Sequence, residues 1–431
     1  MEEKMKKTLI MMAACAGMVG PVQADTTLSI ARFFGACENA GTDFANAVGE
    51  ACIIQALINA YSEADNGVTM ETREVAWASF YDQMKAGYAA NTPPDIHVIH
   101  QSRIPEFADI GLLADMSEDL APAGIDIEDW EDRALEGSSH NGAIYAVPLD
   151  FHTLLWHVNM ELMEQAGLVA DGAPILPGSP EELLAHAQQF QEATGVNYLA
   201  LDLNGNIGSH VVVALALQQN AELIVDDEAN FDTEEMHNAV QLIVDIVEQG
   251  FANPTNDYPA AQADFFNGQA GILINGTWVV DQFTAEAANP ESALSDYYVA
   301  TQPTLFDVGA TWGGSHAWAI PASLQANDPE TYQAAIGFLD FLNDNNLAWA
   351  KTGHLSVRES VLASEAYNTL PHRSEYAGSA EIARSLPRST VAWSIRDVVK
   401  SILQSTYLAD VPIDEALVSI NEGVQDILDD Q

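Results

Sequence analysis

Trp278 directly follows the stretch Ala270–Ile274 and the tripeptide Asn275-Gly276-Thr277. The apolar, branched run reads as a short buried strand. Asn-Gly after it reads as a sharp turn in which Gly276 takes backbone angles that other residues resist. A large indole just beyond the carboxyl end of a buried strand sits in the crevice where open α/β sheets bind ligands. Catalytic signatures are missing from the chain: no HExxH, CxxC, Walker A or GxSxG pattern occurs. His97 and His100 are three apart in an expected strand, so they point to opposite faces and make a poor metal pair. No metal and no cofactor is therefore expected. With 63 acidic residues, two carboxylates can stand at glycosidase separation by chance, and spacing in sequence does not decide it. A secreted carbohydrate-active enzyme is the alternative of another class, distinguished by turnover of its ligand.

The elements that must position Trp278 alternate along the chain. Thr27–Phe34 reads as a strand, Val48–Glu63 as a helix, Val68–Thr72 as a strand, Ser79–Ala90 as a helix and Ile96–Ile99 as a third strand. Such alternation implies an α/β fold with a mostly parallel sheet, and the loops after Phe34 and Ile99 open onto its ligand edge. Ala143–Val158 reads as a long, nearly continuous extended passage that crosses from one lobe to another. Ser179-Pro180-Glu181-Glu182 is a capped helix start. Asn204–Ser209 reads as a loop feeding the helix Val211–Leu217, and Asp232 and Glu235 as caps of a helix ending at Gly250. Tyr297–Thr301 and Ala317–Ile320 are further strands, Asp328-Pro329 opens a helix through Leu342, and the tail from Ala348 reads as helical.

Composition bounds the rest. Lys4, Lys6 and Lys7 precede the apolar run Leu9–Val19, and Val22-Gln23-Ala24 offers small residues for cleavage, so residues 1–24 read as an export signal. Cys37 and Cys52 then remain in the mature chain, and in an oxidising compartment a disulfide between them stabilises the fold by roughly 3 kcal/mol through loop-closure entropy. The formal charge of −48 comes from 63 acids against 15 bases. That field repels nucleic acid and anionic membranes and reads as a surface adapted to salty water.

In order and spacing these segments resemble the family 1 extracellular solute-binding proteins of ABC importers, the maltodextrin-binding type. Thr92–Val98 with Ile110-Gly111-Leu112-Leu113 looks like that family's strand-and-turn signature, and Asn141–Asn159 like its first inter-lobe crossing. Phe265–Trp278 looks like its NG-x-W motif, Gly313-Gly314 before Ala319-Ile320 like its return crossing, and Pro412–Leu417 like its closing helix. The resemblance implies a two-lobe periplasmic-binding-protein fold with a hinge between the lobes. The first lobe would comprise 25–150 and 303–343, the second 151–302 and 344–431. It implies a monomeric periplasmic protein that hands a neutral mono- or oligosaccharide to ABC permease subunits. A polyol, compatible solute or sugar acid is the alternative ligand on the same fold. The loop Gly35–Cys52 departs from the maltodextrin pattern.

Carried over residue by residue, the resemblance makes Trp278 the main stacking platform and Tyr258 a second cleft aromatic. Asp150 and His152 fall at the first crossing, and His100 and Ser102 in the loop after the third strand. Gly313 and Gly314 would let backbone approach the ligand, with Trp312 beside them. Asn206, Trp393, Phe34 and Glu38 complete the expected ligand set. Arg103 is the base best placed for an anionic ligand, and so few bases argue for a neutral one.

Overall fold

The protein is described by a computed structural model over residues 26–431. The export-signal reading falls on residues 1–24, outside the described residues. Thr26–Arg32 pairs in parallel with Val68–Glu74 on one side and Ile96–His100 on the other. His316–Ala319 and Val147–Pro148 extend that sheet in antiparallel sense. Leu28, Ile30, Val98 and Ile99 are fully buried, because helices cover the central strands, while the edge strand Val68–Glu74 keeps alternate residues exposed. A second sheet is built on the fully buried strand His152–Asn159. Ala270–Gly276 pairs with it on one side, Tyr297–Thr301 and Thr311–Gly314 on the other, all antiparallel.

Each sheet has its own hydrophobic core. Residues up to Leu149, from Ala317 to Trp349, and Trp393 fill the first; the rest of the chain from Leu154 onward packs into two clusters about the second. Three passages therefore link the cores: Asp150–Thr153, Gly314–His316 and Ala350–His354. The return to the first core comes later than residue 303, because Thr311–Gly314 still pairs within the second sheet. Cys37 and Cys52 bring their sulfurs to 2.08 Å. Among the described residues no helix is long and apolar enough to cross a membrane.

Several local expectations change. Gly276 is not a left-handed turn residue: its φ of −93° is ordinary, and the strand runs through it. Its requirement is space, since a Cβ there would lie 1.9 Å from the Trp278 ring. The passage Ala143–Val158 is broken rather than continuous, because Leu149–Phe151 spend their backbone groups on the other two passages. Asn206 opens a helix, Asn206–Leu217, instead of lying in a loop. Thr233, not Asp232, caps the helix Glu234–Glu248 by accepting from Met236 N at 3.3 Å. The tail becomes regularly helical only at Ala392–Leu408 and Ile413–Asp429. Between Lys351 and Val391 it is a chain of single turns pinned by side chains such as Arg373, which donates to Ala350 O.

Candidate functional site between the lobes

The three linking passages run side by side and bond to one another. Phe151 N donates to Leu355 O at 2.9 Å and Leu355 N to Phe151 O at 2.8 Å, while Leu149 N donates to His316 O at 2.8 Å. Each passage also delivers a histidine: His152, His316 and His354. Asp150, fully buried, lies in their midst. Its Oδ1 accepts from His152 Nδ1 at 2.9 Å and from His316 N at 3.1 Å. Its Oδ2 accepts from His316 Nδ1 at 2.9 Å and from the Trp349 indole at 2.8 Å. Burial alone pushes the Asp150 carboxyl up. The neighbouring His316 and His354 rings, with hydrogen bonds from His152 and His316, overcome this and hold it well below the ordinary carboxylate range.

That pairing fixes the chemistry of the two rings. With Nδ1–H committed to Asp150, His152 carries a lone pair on Nε2 and acts there as an acceptor, while the His316 ring is oriented by the same carboxylate. Burial, with His316 beside it, pulls the His152 imidazole down to about 4, so it is neutral at pH 7.

From His152 an aromatic wall extends in two directions. Trp278 meets its ring edge-on at 5.5 Å, and Trp312 lies 5.4 Å away, itself stacked on His210 at 4.2 Å. On the other side His316 is 4.4 Å from His152 and 4.7 Å from His100, and His100 is 5.0 Å from Trp393. Trp278 Nε1 donates to the Tyr258 hydroxyl at 2.8 Å, which fixes the indole plane. The Trp393 indole donates to Ser102 Oγ at 3.0 Å, and Gly49 N donates to Asp281 Oδ2 at 2.6 Å. Both bonds tie segments of the first lobe to segments of the second.

The geometry thus gathers Trp278, Tyr258, His152, Trp312, His100, Ser102 and Trp393 along one wall. Asp150 stands behind it with both oxygens spent on protein donors, so it orients the rings and has no face on the cleft. Gly313 and Gly314 serve packing: a Cβ on Gly314 would lie 2.6 Å from His152 Nε2, and one on Gly313 2.8 Å from Ala383. Asn206 is one helical turn before His210, and its buried Oδ1 has no protein partner. Phe34 is in the first core, its ring 4.7 Å from Trp349, behind the wall rather than on it. Glu38 is exposed in the disulfide loop, on a surface hollow with Arg32, Gln55 and Glu74, away from the cluster.

Four residues at the site were not singled out from the sequence: His316, His354, His210 and Glu50. His316 and His354 each follow a glycine closely, in Gly314-Ser315-His316 and Gly353-His354, the one local hint of a chain crossing. Glu50 opens the first helix, and burial together with Asp150 and Asp281 pushes its carboxyl well up.

Comparison with known proteins gives three findings. The model of a family described as bacterial extracellular solute-binding protein matches residues 56–375. A maltotriose-binding protein of Pyrococcus abyssi is 20% identical over 339 residues, 76% of this chain and 70% of that protein. Among solved structures, the GacH receptor of Streptomyces glaucescens, determined unliganded and with acarbose, has a TM-score of 0.80 at 19% identity, covering 94% of this chain and 99% of that one. Maltose-bound MalE3 of T. maritima has a TM-score of 0.79 at 18% identity, covering 93% and 100%. These likenesses show the two-lobe α/β periplasmic-binding fold.

Proposed function

The chain belongs to the bacterial extracellular solute-binding proteins, and from that premise we propose that it is the extracytoplasmic substrate-binding component of an ABC importer, capturing a neutral mono- or oligosaccharide between its lobes. The observation that carries this reading is the wall from Trp278 through His152 and His316 to Trp393, to which both lobes contribute. Indole faces cover the apolar face of a pyranose, and Nε2 of His152 accepts from one of its hydroxyls. A solute touching both lobes binds the closed state better and shifts the population toward it. In this reading the lobes hinge at Asp150–Thr153, Gly314–His316 and Ala350–His354, and the permease reads closure of a monomeric periplasmic protein. The exported location rests on the amino-terminal signal pattern together with the family.

Neutrality of the ligand is supported by the fate of the nearby bases. Arg103 pairs with Glu106 at 2.6 Å and Arg396 with Asp397 at 2.9 Å, so each guanidinium charge already has a carboxylate partner. They lie instead at 4.0 and 3.6 Å from the Trp393 ring. The relatives that bind maltotriose, acarbose and maltose point to the same ligand class.

A thermal-shift screen of sugars, polyols and compatible solutes at high salt tests the reading, with Trp278→Ala in parallel. A ligand at about 100 times its dissociation constant stabilises the fold by roughly 2.7 kcal/mol. A sugar shift that disappears in the variant, with the ligand recovered unaltered, is the expected result. A shift only with charged or methylated solutes overturns the substrate class, and recovery of cleaved sugar overturns binding without turnover.

A further inference from the structure

Two helices of the first lobe lack a side-chain cap or a complementary charge at one end, and the second lobe supplies each. Glu50–Glu63 begins after Gly49, which has a φ of 82° and offers no side-chain cap. Gly49 N instead donates to Asp281 Oδ2 at 2.6 Å. Asp281 belongs to Val280–Ala287, a helix whose Val280 and Phe283 are buried in the second lobe. A carboxylate at a helix amino terminus is favoured by the partial positive charge of the free N–H groups there. At the other helix, Asp132–Ser138, the last turn holds no base. Arg388 supplies one: its Nη1 donates to Glu136 O at 2.7 Å, and its Nη2 to Gly137 O at 2.9 Å and to Ser139 O at 3.3 Å. Nη2 also reaches Gln101 O at 3.4 Å, next to Ser102 of the wall. A planar guanidinium fork lets one side chain meet carbonyls from several residues. Arg388 is carried by the second lobe, because Ala383-Arg384 pairs with Thr311-Trp312 and Leu386 packs against the second core.

We infer that Asp281 and Arg388 are positioning residues for solute capture: as helix caps supplied from the opposite lobe, they hold the two lobes docked. Their charges are opposite and they fall on different helices. Acid meets an amino end and base a carboxyl end, so the pair specifies one mutual orientation of the lobes and disfavours others. The same arrangement brings the Trp393 indole to Ser102 and so joins the wall across the lobes. Docking has to overcome the repulsion expected between two lobes of a chain with 63 acids. Here the first-lobe partners are main-chain groups without net charge, so neither contact adds a further like-charged pair. A solute that touches both lobes binds in proportion to the docked fraction, and residues that raise this fraction raise affinity without contacting the solute. The inference rests on the reading that the solute bridges the lobes, although lobe separation can be measured without any solute.

The test uses protein produced from Asp25 onward, which omits Cys15 and leaves Cys37 and Cys52 joined. Ile110→Cys in the first lobe and Val225→Cys in the second, both at exposed positions, take nitroxide labels. Electron-spin distance measurements on ligand-free protein then give the ratio of docked to separated lobes. Arg388→Ala and Asp281→Ala should each lower that ratio about fivefold, the scale of a lost helix cap. Asp281→Asn keeps an oxygen facing Gly49 N and should lower it less. For a sugar found in the thermal-shift screen, dissociation constants should rise by up to the same factor. Distance distributions in both alanine variants that match those of the parent overturn the inference, whether or not a sugar binds. A loss of unfolding stability without a change in lobe separation also overturns it, because the two side chains would then serve local packing. If the lobes separate in the variants while no sugar binds the parent, the positioning role stands and the substrate class falls.

Discussion

Replacing Asp150 by Asn removes one acceptor oxygen from a site with four donors: His152 Nδ1, His316 N, His316 Nδ1 and Trp349 Nε1. The best rotamer leaves the amide oxygen where Oδ2 was, keeping His316 Nδ1 and Trp349, and turns the amide NH2 toward His152 and His316 N. His152 can move its proton to Nε2 and accept from the amide, but the backbone N–H of His316 has no second form. That orphaned donor costs about 1–3 kcal/mol, and each surviving bond falls from charge-assisted to neutral, losing about 1 kcal/mol. Neutralising a buried carboxylate returns part of this. The net expectation for Asp150→Asn is a loss of about 3 kcal/mol in urea unfolding of the ligand-free protein. A second consequence is chemical: His152 Nε2 becomes a donor, visible as a changed tautomer in imidazole nitrogen NMR, and affinity for the solute falls. A stability change under about 1 kcal/mol with an unaltered His152 tautomer would refute the account of Asp150 as the orienting acceptor.

Two further outcomes follow from charge and burial. Six imidazoles, His97, His100, His152, His157, His210 and His354, are brought below the ordinary histidine value chiefly by burial, with His97 at about 4 and His157 at about 3. The unfolded chain then binds more protons than the folded one, so their contribution is complete above about pH 6.5 and is lost as pH falls toward their folded values. For His157 the loss between pH 7 and pH 5 is about 2 kcal/mol. Asp202 and Asp281, raised to about 6 by burial, act in the opposite sense and offset only part. Urea midpoints should fall markedly from pH 7 to pH 5, and equal midpoints would contradict the buried neutral rings. Separately, 63 acids against 15 bases should make stability climb from low to molar salt as mutual repulsion is screened. Unfolding midpoints that stay flat over that range would remove the reading of a salt-adapted surface.

Much of the scaffold was legible because it is written locally. Branched apolar runs bounded by turn residues located Thr26–Arg32, Ile96–His100 and Tyr297–Thr301 to within a residue or two. The indole after Ala270–Gly276 was readable for the same reason: strand, turn and Trp278 lie within ten residues of one another. Legibility failed where tertiary contacts overrode local preference. Lys351–Val391 has enough helix formers to read as helix, yet it is drawn out over the second lobe, where Arg384 pairs with Trp312 and Arg388 donates to Gly137 O of the first lobe at 2.9 Å. Gly276 misled because glycine has two uses. The turn argument assumed a positive φ, whereas the residue is there to leave room for its neighbour's ring.

The crossings at Asp150–His152 and Gly313-Gly314 were legible, but the meeting of three passages at one point was invisible for a deeper reason. His97 and His100 drew attention as a metal pair because they are near in sequence, and strand geometry correctly separates them. His152, His316 and His354 are far apart in sequence and meet only because three passages must run between the same two cores at the same place. A chain that crosses three times through one narrow waist has little room there for hydration, so polar groups on the crossings must satisfy one another. Asp150 meets that requirement for two of the three imidazoles. The third, His354, is held instead by Thr352, whose hydroxyl lies 2.7 Å from its Nδ1. The same convergence that makes a hinge thus makes a buried polar cluster, and the spacing of its histidines in sequence carries no trace of it.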